Sequence, residues 1–177
     1  VPYGTLADHH GAGMSREERF LEALDQLGCS FEAGLTLGGD YAATVCDGNR
    51  IYVSGQIPRV GDEIIHPGAV GGDISLGQAQ DAAKICALRG LALIRDHVGS
   101  LDEIKAVLRI TVFVRSADSF TQQSEVANGA SFILRSVLGE AGVHTRTSVG
   151  VCQLPKNASV EVDMIAVLNP SSAHHAA

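Results

Sequence analysis

Arg146, Ser148, Glu161 and Asp163 are the residues whose types and spacing could do chemistry together. Strand alternation puts Arg146 on one face with Ser148, Gly150 and Cys152, and puts Glu161 on one face with Asp163. If those faces coincide on neighbouring strands, a guanidinium, a hydroxyl and a carboxylate converge beside apolar side chains. A planar guanidinium suits a carboxylate ligand because it can donate two parallel hydrogen bonds. The alternative is a cross-strand Arg–Glu pair that only stabilises the sheet. The pattern alone leaves both readings open.

The elements that must position these residues are legible from periodicity and punctuation. Ser15, with Glu17 and Glu18 ahead of Phe20, Leu21, Leu24 and Leu27, predicts a capped amphipathic helix ending at Gly28. Residues 42–46 and 50–54 read as strands joined by Asp47-Gly48-Asn49, a hairpin signal. The segment from Pro58 to Gly72 reads as a long loop with room for a short strand pair. Ser75 caps a long helix to about Val98, with Ala79, Ala83, Cys86, Gly90 and Ile94 on one face and Gly99 as its stop. A strand over 107–114 follows, then a helix opening at Asp118 or Ser119 and closing at Gly139. Strands over 144–153 and 158–168 flank the turn Leu154-Pro155-Lys156-Asn157 and read as a final hairpin.

That order predicts an α+β layer fold, an open sheet with two long helices packed on one face. Phe113 lies opposite Leu108, Ile110 and Val112 on its strand, and Ile165 and Val167 lie opposite Val160, Val162 and Met164. Both faces therefore carry large apolar side chains, and the uncovered one predicts self-association. Residues 14–169 form the expected single domain, with flexible tails at 1–13 and 170–177.

Composition narrows the function classes. The chain has 177 residues, 45% of them apolar, enough for a real core. Thirteen Lys and Arg against 20 Asp and Glu leave a formal charge of −7, which disfavours binding to nucleic acid. Cys29, Cys46, Cys86 and Cys152 lie far apart without a CxxC pair and read as reduced thiols. Cys86, on an apolar helix face, reads as a core residue. No apolar run suggests a membrane span and no signal peptide is visible, so the cytoplasm is the expected location. The seven histidines, including His9-His10 and His174-His175, lack ligand spacing, and no metal is expected.

Specific motifs add a resemblance. Tyr52-Val53-Ser54-Gly55-Gln56-Ile57-Pro58 resembles the strand-and-turn signature of the Rid family, the reactive intermediate deaminases long described as endoribonuclease-like. Thr145-Arg146-Thr147-Ser148-Val149, then Leu154-Pro155-Lys156 and Val160-Glu161-Val162-Asp163, resembles that family's carboxy-terminal signature. Between them, residues 110–114 resemble its central strand. The match runs in order from about Tyr41 to Leu168.

The resemblance implies a chorismate-mutase-like fold and a homotrimer with sites in the clefts between subunits. It implies that Arg146 holds the carboxylate of a small imine or 2-keto acid. Tyr41, Ser54, Gly55, Asn128 and Ser148 would line the pocket, and Glu161 would orient water. The implied reaction is hydrolysis of an enamine or imine to a 2-keto acid and ammonia, with no cofactor. Ser148 stands where the family often has Cys, so no thiol is available at that position. The helix before Gly28 and the loop over 59–72 extend the minimal family domain. The competing reading is a non-catalytic trimer that binds 2-keto acids as a sensor. A ribonuclease fits poorly, because the chain is acidic and lacks a His pair for phosphoryl chemistry.

Overall fold

The computed structural model describes residues 13–31, 34–35 and 38–170. The expected tails at 1–13 and 170–177, with their histidine pairs, lie outside those residues except for Gly13 and Pro170. Helix α1 spans Arg16–Gln26, opened by a reciprocal capping box between Ser15 and Glu18, and it buries Phe20, Ala23 and Leu24. Strands β1 (Thr44–Asp47) and β2 (Arg50–Gln56) form a hairpin whose turn needs the left-handed backbone of Gly48, at φ 59°. The following loop carries the short pair β3 (Arg59–Val60) and β4 (Glu63–Ile64). Helix α2 (Leu76–Val98) is capped by Ser75 with Gln78 and stopped by Gly99 at φ 88°. Then come β5 (Ile104–Arg115), α3 (Gln123–Leu138), β6 (Thr145–Val151) and β7 (Val160–Leu168).

Two expectations need correction. Helix α3 begins at Gln123, not at Asp118 or Ser119, and its N-cap Gln122 makes no side-chain cap. Ser116 bridges to Val70, and Ala117 N donates to Val70 O, so this stretch is held by the loop instead. The last two strands are also not a hairpin. The sheet order is β1-β2-β7-β5-β6, with β5 antiparallel to β7 and parallel to β6. The turn over 154–157 carries the chain across the end of β5 and does not fold β7 back onto β6.

Helices α2 and α3 cover one face of the sheet. Ile110, Val112, Val114, Val160, Val162 and Met164 point under them and are fully or almost fully buried. The other face carries Tyr52, Arg109, Thr111, Phe113, Glu161, Asp163 and Ile165, of which Tyr52 and Arg109 are exposed. Cys86 sits in the core, with burial holding its thiol well above the ordinary range. All four cysteines are free. Among the described residues no helix is long and apolar enough to cross a membrane.

Close approach of the two long helices depends on Gly129. A Cβ there would stand 2.2 Å from the backbone oxygen of Gln80 on α2. Gly90 differs, because a Cβ there would meet the flexible end of Met164, 2.4 Å from its Cε. Gly129→Ala is therefore expected to destabilise the fold by about 2–3 kcal/mol, as overpacking against backbone does. Gly90→Ala should cost less, because Met164 can move. Urea unfolding of both variants checks the order.

Candidate functional site

Five of the seven expected site residues divide between two cavities. Arg146 registers with Ile110 across β6 and β5, and Ile110 registers with Met164. Its side chain therefore leaves β6 on the helix-covered side and reaches α3. There Nη1 donates to Ser131 Oγ at 3.0 Å, and Nη2 donates to Ser124 O and Oγ, both at 3.0 Å. Three of its five N–H groups are thus committed, leaving Nε–H and one on Nη1 for a ligand. Arg146 lines an open cleft of about 530 Å³ with Asn128, Ser131, Phe132, Val143 and His144.

His144 completes this cleft. A Cβ on Gly142 would stand 2.0 Å from Leu134 O, so only glycine lets the chain pass this close beneath the end of α3. The Gly142 carbonyl thereby meets His144 Nδ1 at 2.6 Å, while His144 Nε2 lies 2.9 Å from Ser131 Oγ. Burial lowers the His144 pKa from its ordinary value of 6.5; the hydrogen bond to Gly142 opposes this, and the Arg146 and Arg135 charges reinforce it.

The second cavity, about 160 Å³, lies where a bulge interrupts the β2–β7 pairing between Val53 and Gln56. Tyr41, Gly55, Gln56, Arg59, Arg89 and Glu161 line it. Glu161 pairs with Phe113 and leaves the sheet on the uncovered face. Its carboxylate then folds over Gly55, where a Cβ would overlap Oε1 at 1.9 Å. That overlap explains the glycine. Burial pushes the Glu161 carboxyl above its ordinary range, with repulsion from Asp163 adding to the effect. Arg89 is almost fully buried and donates to Arg59 O at 2.7 Å and to Gln56 Oε1 at 3.3 Å.

The sequence-based picture of Arg146 beside Glu161 is therefore corrected within one chain. Strand β5 separates their strands, their side chains leave opposite faces, and no residue lines both cavities. A cross-strand Arg146–Glu161 pair is excluded on the same grounds. Asn128 joins Arg146, and Tyr41 and Gly55 join Glu161. Ser54 uses its hydroxyl to hold Ala42 O at 2.7 Å, and Ser148 shares Arg146's face of β6 without lining its cleft. The reading of the residues missed Ser131, His144 and the buried Arg89. His144 precedes Arg146 by two, and this alternation was the available signal.

His144 and Glu161 give stability opposite dependences on pH. The unfolded chain protonates His144 at a pH where the fold keeps it neutral, so its contribution is present above pH 6.5 and is lost as pH falls below that value. The melting temperature should drop from about pH 7 to about pH 5, and drop less in His144→Gln. Glu161 carries the opposite sign, because the fold resists its charge at neutral pH. Glu161→Gln should raise the melting temperature at pH 7 slightly, because solvent screens a half-buried carboxylate. Thermal melts across pH check both signs.

Comparison with known proteins agrees with this architecture. The profile of the family described as "YjgF/chorismate mutase-like, putative endoribonuclease" matches residues 26–168. Protein TCP17 of Trypanosoma cruzi is 42% identical over 147 residues, covering 82% of this chain and 92% of that protein. A 2-iminobutanoate/2-iminopropanoate deaminase of Dermatophagoides farinae is 28% identical over 130 residues, covering 73% of this chain and 87% of its own. The solved structure of Atu1372 from Agrobacterium tumefaciens superposes with a TM-score of 0.77 at 37% identity, covering 87% of this chain and 95% of that one. With both signatures, the sheet order and the two long helices in place, this chain belongs to the YjgF/Rid family as a divergent member.

Proposed function

We propose that this protein is a cofactor-free enamine/imine deaminase, acting on imines of small carboxylates at sites completed between copies of a homotrimer. One observation carries the reading. Arg146 and Asn128 line one cavity, Tyr41, Gly55 and Glu161 line another, and the two share no residue. Association would set the open Arg146 cleft, at the β6 edge of the sheet, against the Glu161 cavity on the uncovered face of the next copy. The apolar side chains on that face, Tyr52, Phe113, Ile165 and Val149, supply the driving force for such packing.

In such a cleft the substrate carboxylate would meet the remaining N–H groups of Arg146 and the amide of Asn128. An imine carbon is already electrophilic, so holding it next to a positioned water supplies much of the acceleration. Glu161, whose carboxyl is raised towards neutrality, would take a proton from the attacking water and return it to the nitrogen. The C–O bond forms, the C–N bond of the carbinolamine breaks, and a 2-keto acid and ammonia leave. The family relationship and the deaminase named among the relatives support this chemistry.

Light scattering at micromolar concentration should give three times the monomer mass, and a lone monomer or dimer would remove the composite site. An imine generated in situ from 2-aminoacrylate should release keto acid faster with the protein. Binding of 2-keto acids without acceleration would instead support the sensor reading. Arg146→Ala should weaken 2-keto acid binding by about 2–4 kcal/mol, and Arg146→Lys should recover only part of it, since an ammonium lacks the planar fork. Calorimetric titration beside thermal melts separates this loss from the loosening of β6 that follows from the broken bonds to α3.

A further inference from the structure

The hydrogen bonds around Ser131 fix where its proton goes. Arg146 Nη1 can only donate, so at 3.0 Å from Ser131 Oγ it uses one of the hydroxyl's lone pairs. Gly142 O can only accept, so His144 Nδ1 carries the proton it donates there at 2.6 Å. In the neutral ring Nε2 is then the bare nitrogen, and at 2.9 Å it accepts from the Ser131 hydroxyl. This tautomer follows from the network. The result is a serine hydroxyl facing a base, with the base oriented by a third group, which is the general geometry of an activated nucleophile.

We propose that Ser131 is a nucleophilic serine activated by His144, and that the cleft around it hydrolyses small esters with a short apolar acyl group. Burial lowers the His144 pKa, which favours the neutral ring that a base requires. Arg146 places a fixed cation beside the oxygen that loses its proton, and the same cation is near the charge that develops on an attacked carbonyl oxygen. Asn128, three residues before Ser131 on α3, adds an amide donor to the cleft lining. Phe132 and Val143 are 48% and 53% exposed at this cleft and provide an apolar wall for the acyl chain. Neither Ser131 nor His144 has a part in the imine chemistry above, although Arg146 and Asn128 would serve both, so labelling of Ser131 and release of keto acid are separate readouts.

The steps balance without a further reactant. Ser131 Oγ forms a bond to the ester carbonyl carbon as its proton passes to His144 Nε2. The carbon–oxygen bond to the alcohol breaks, and the departing oxygen takes that proton. Water then attacks the acyl-serine, gives a proton to His144, and the carboxylic acid leaves as Ser131 recovers its hydrogen.

The test is covalent labelling of the wild-type protein with a fluorophosphonate, read by intact mass and peptide mapping. One phosphonyl adduct per chain is expected, on Ser131, with loss of fluoride. His144→Gln should slow labelling by about 100-fold or more, the usual contribution of a general base. Ser131→Ala should abolish it, and p-nitrophenyl butyrate should show a burst in wild type only. No adduct on wild type, an adduct elsewhere, or labelling of His144→Gln at the wild-type rate would overturn the proposal. The wild-type map does not depend on any variant folding.

Discussion

Strand β5 is hydrogen-bonded along both edges, in parallel to β6 and antiparallel to β7, and the placement of Arg146 and Glu161 follows from that pairing. A parallel neighbour requires a crossover, and α3 supplies it by packing against the sheet between β5 and β6. The chain then passes over the end of β5, through Lys156 and Asn157 with positive φ, before β7 enters the other side. Arg146 therefore emerges under α3, and Glu161 emerges on the uncovered face. Had β6 and β7 paired directly, the two would have been able to neutralise each other. Separated by β5, each keeps its charge chemistry for something else.

The two cavities are held by different forces. Around Arg146 the contacts are polar and local, with three bonds to α3 and the Ser131–His144–Gly142 chain beside them. Only backbone proximity at Gly142 and Gly129 lets α3 sit where those bonds can form. Around Glu161 the cavity exists because β2 bulges and Gly55 carries no side chain. Arg59 and Arg89 put positive charge into that cavity although the chain as a whole carries −7. Local charge can oppose global charge because screening confines each to about a Debye length, roughly 8–10 Å. Positive charge is thus concentrated at that cavity within an acidic chain.

Sequence reading recovered the elements whose signals are local. Ser15 with Glu18 and Ser75 with Gln78 both form capping boxes, and Gly99 stops α2 in the left-handed region. These signals are legible because a cap and its partners lie within one turn of chain. The start of α3 is not legible in the sequence, because Asp118 and Ser119 look like caps while residues 116 and 117 are held by Val70, some 46 positions away. Ser131 and His144 are not legible for a similar reason. One is an ordinary polar helix residue, and the other follows a glycine-rich turn until Gly142 docks on Leu134 and brings them together.

The sequence by itself determined the family, the α+β class, the identities of Arg146 and Glu161 as residues of interest, and the two-sided apolar character of the sheet. All of these depend on residue type and short-range spacing. Which of those residues meet was decided only by the tertiary structure. Alternation assigns each side chain to one of two faces of its own strand, but it cannot say which strand lies next to which. That choice depends on long-range pairing across β5, and it placed Arg146 with Ser131 and His144, and Glu161 with Tyr41 and Gly55.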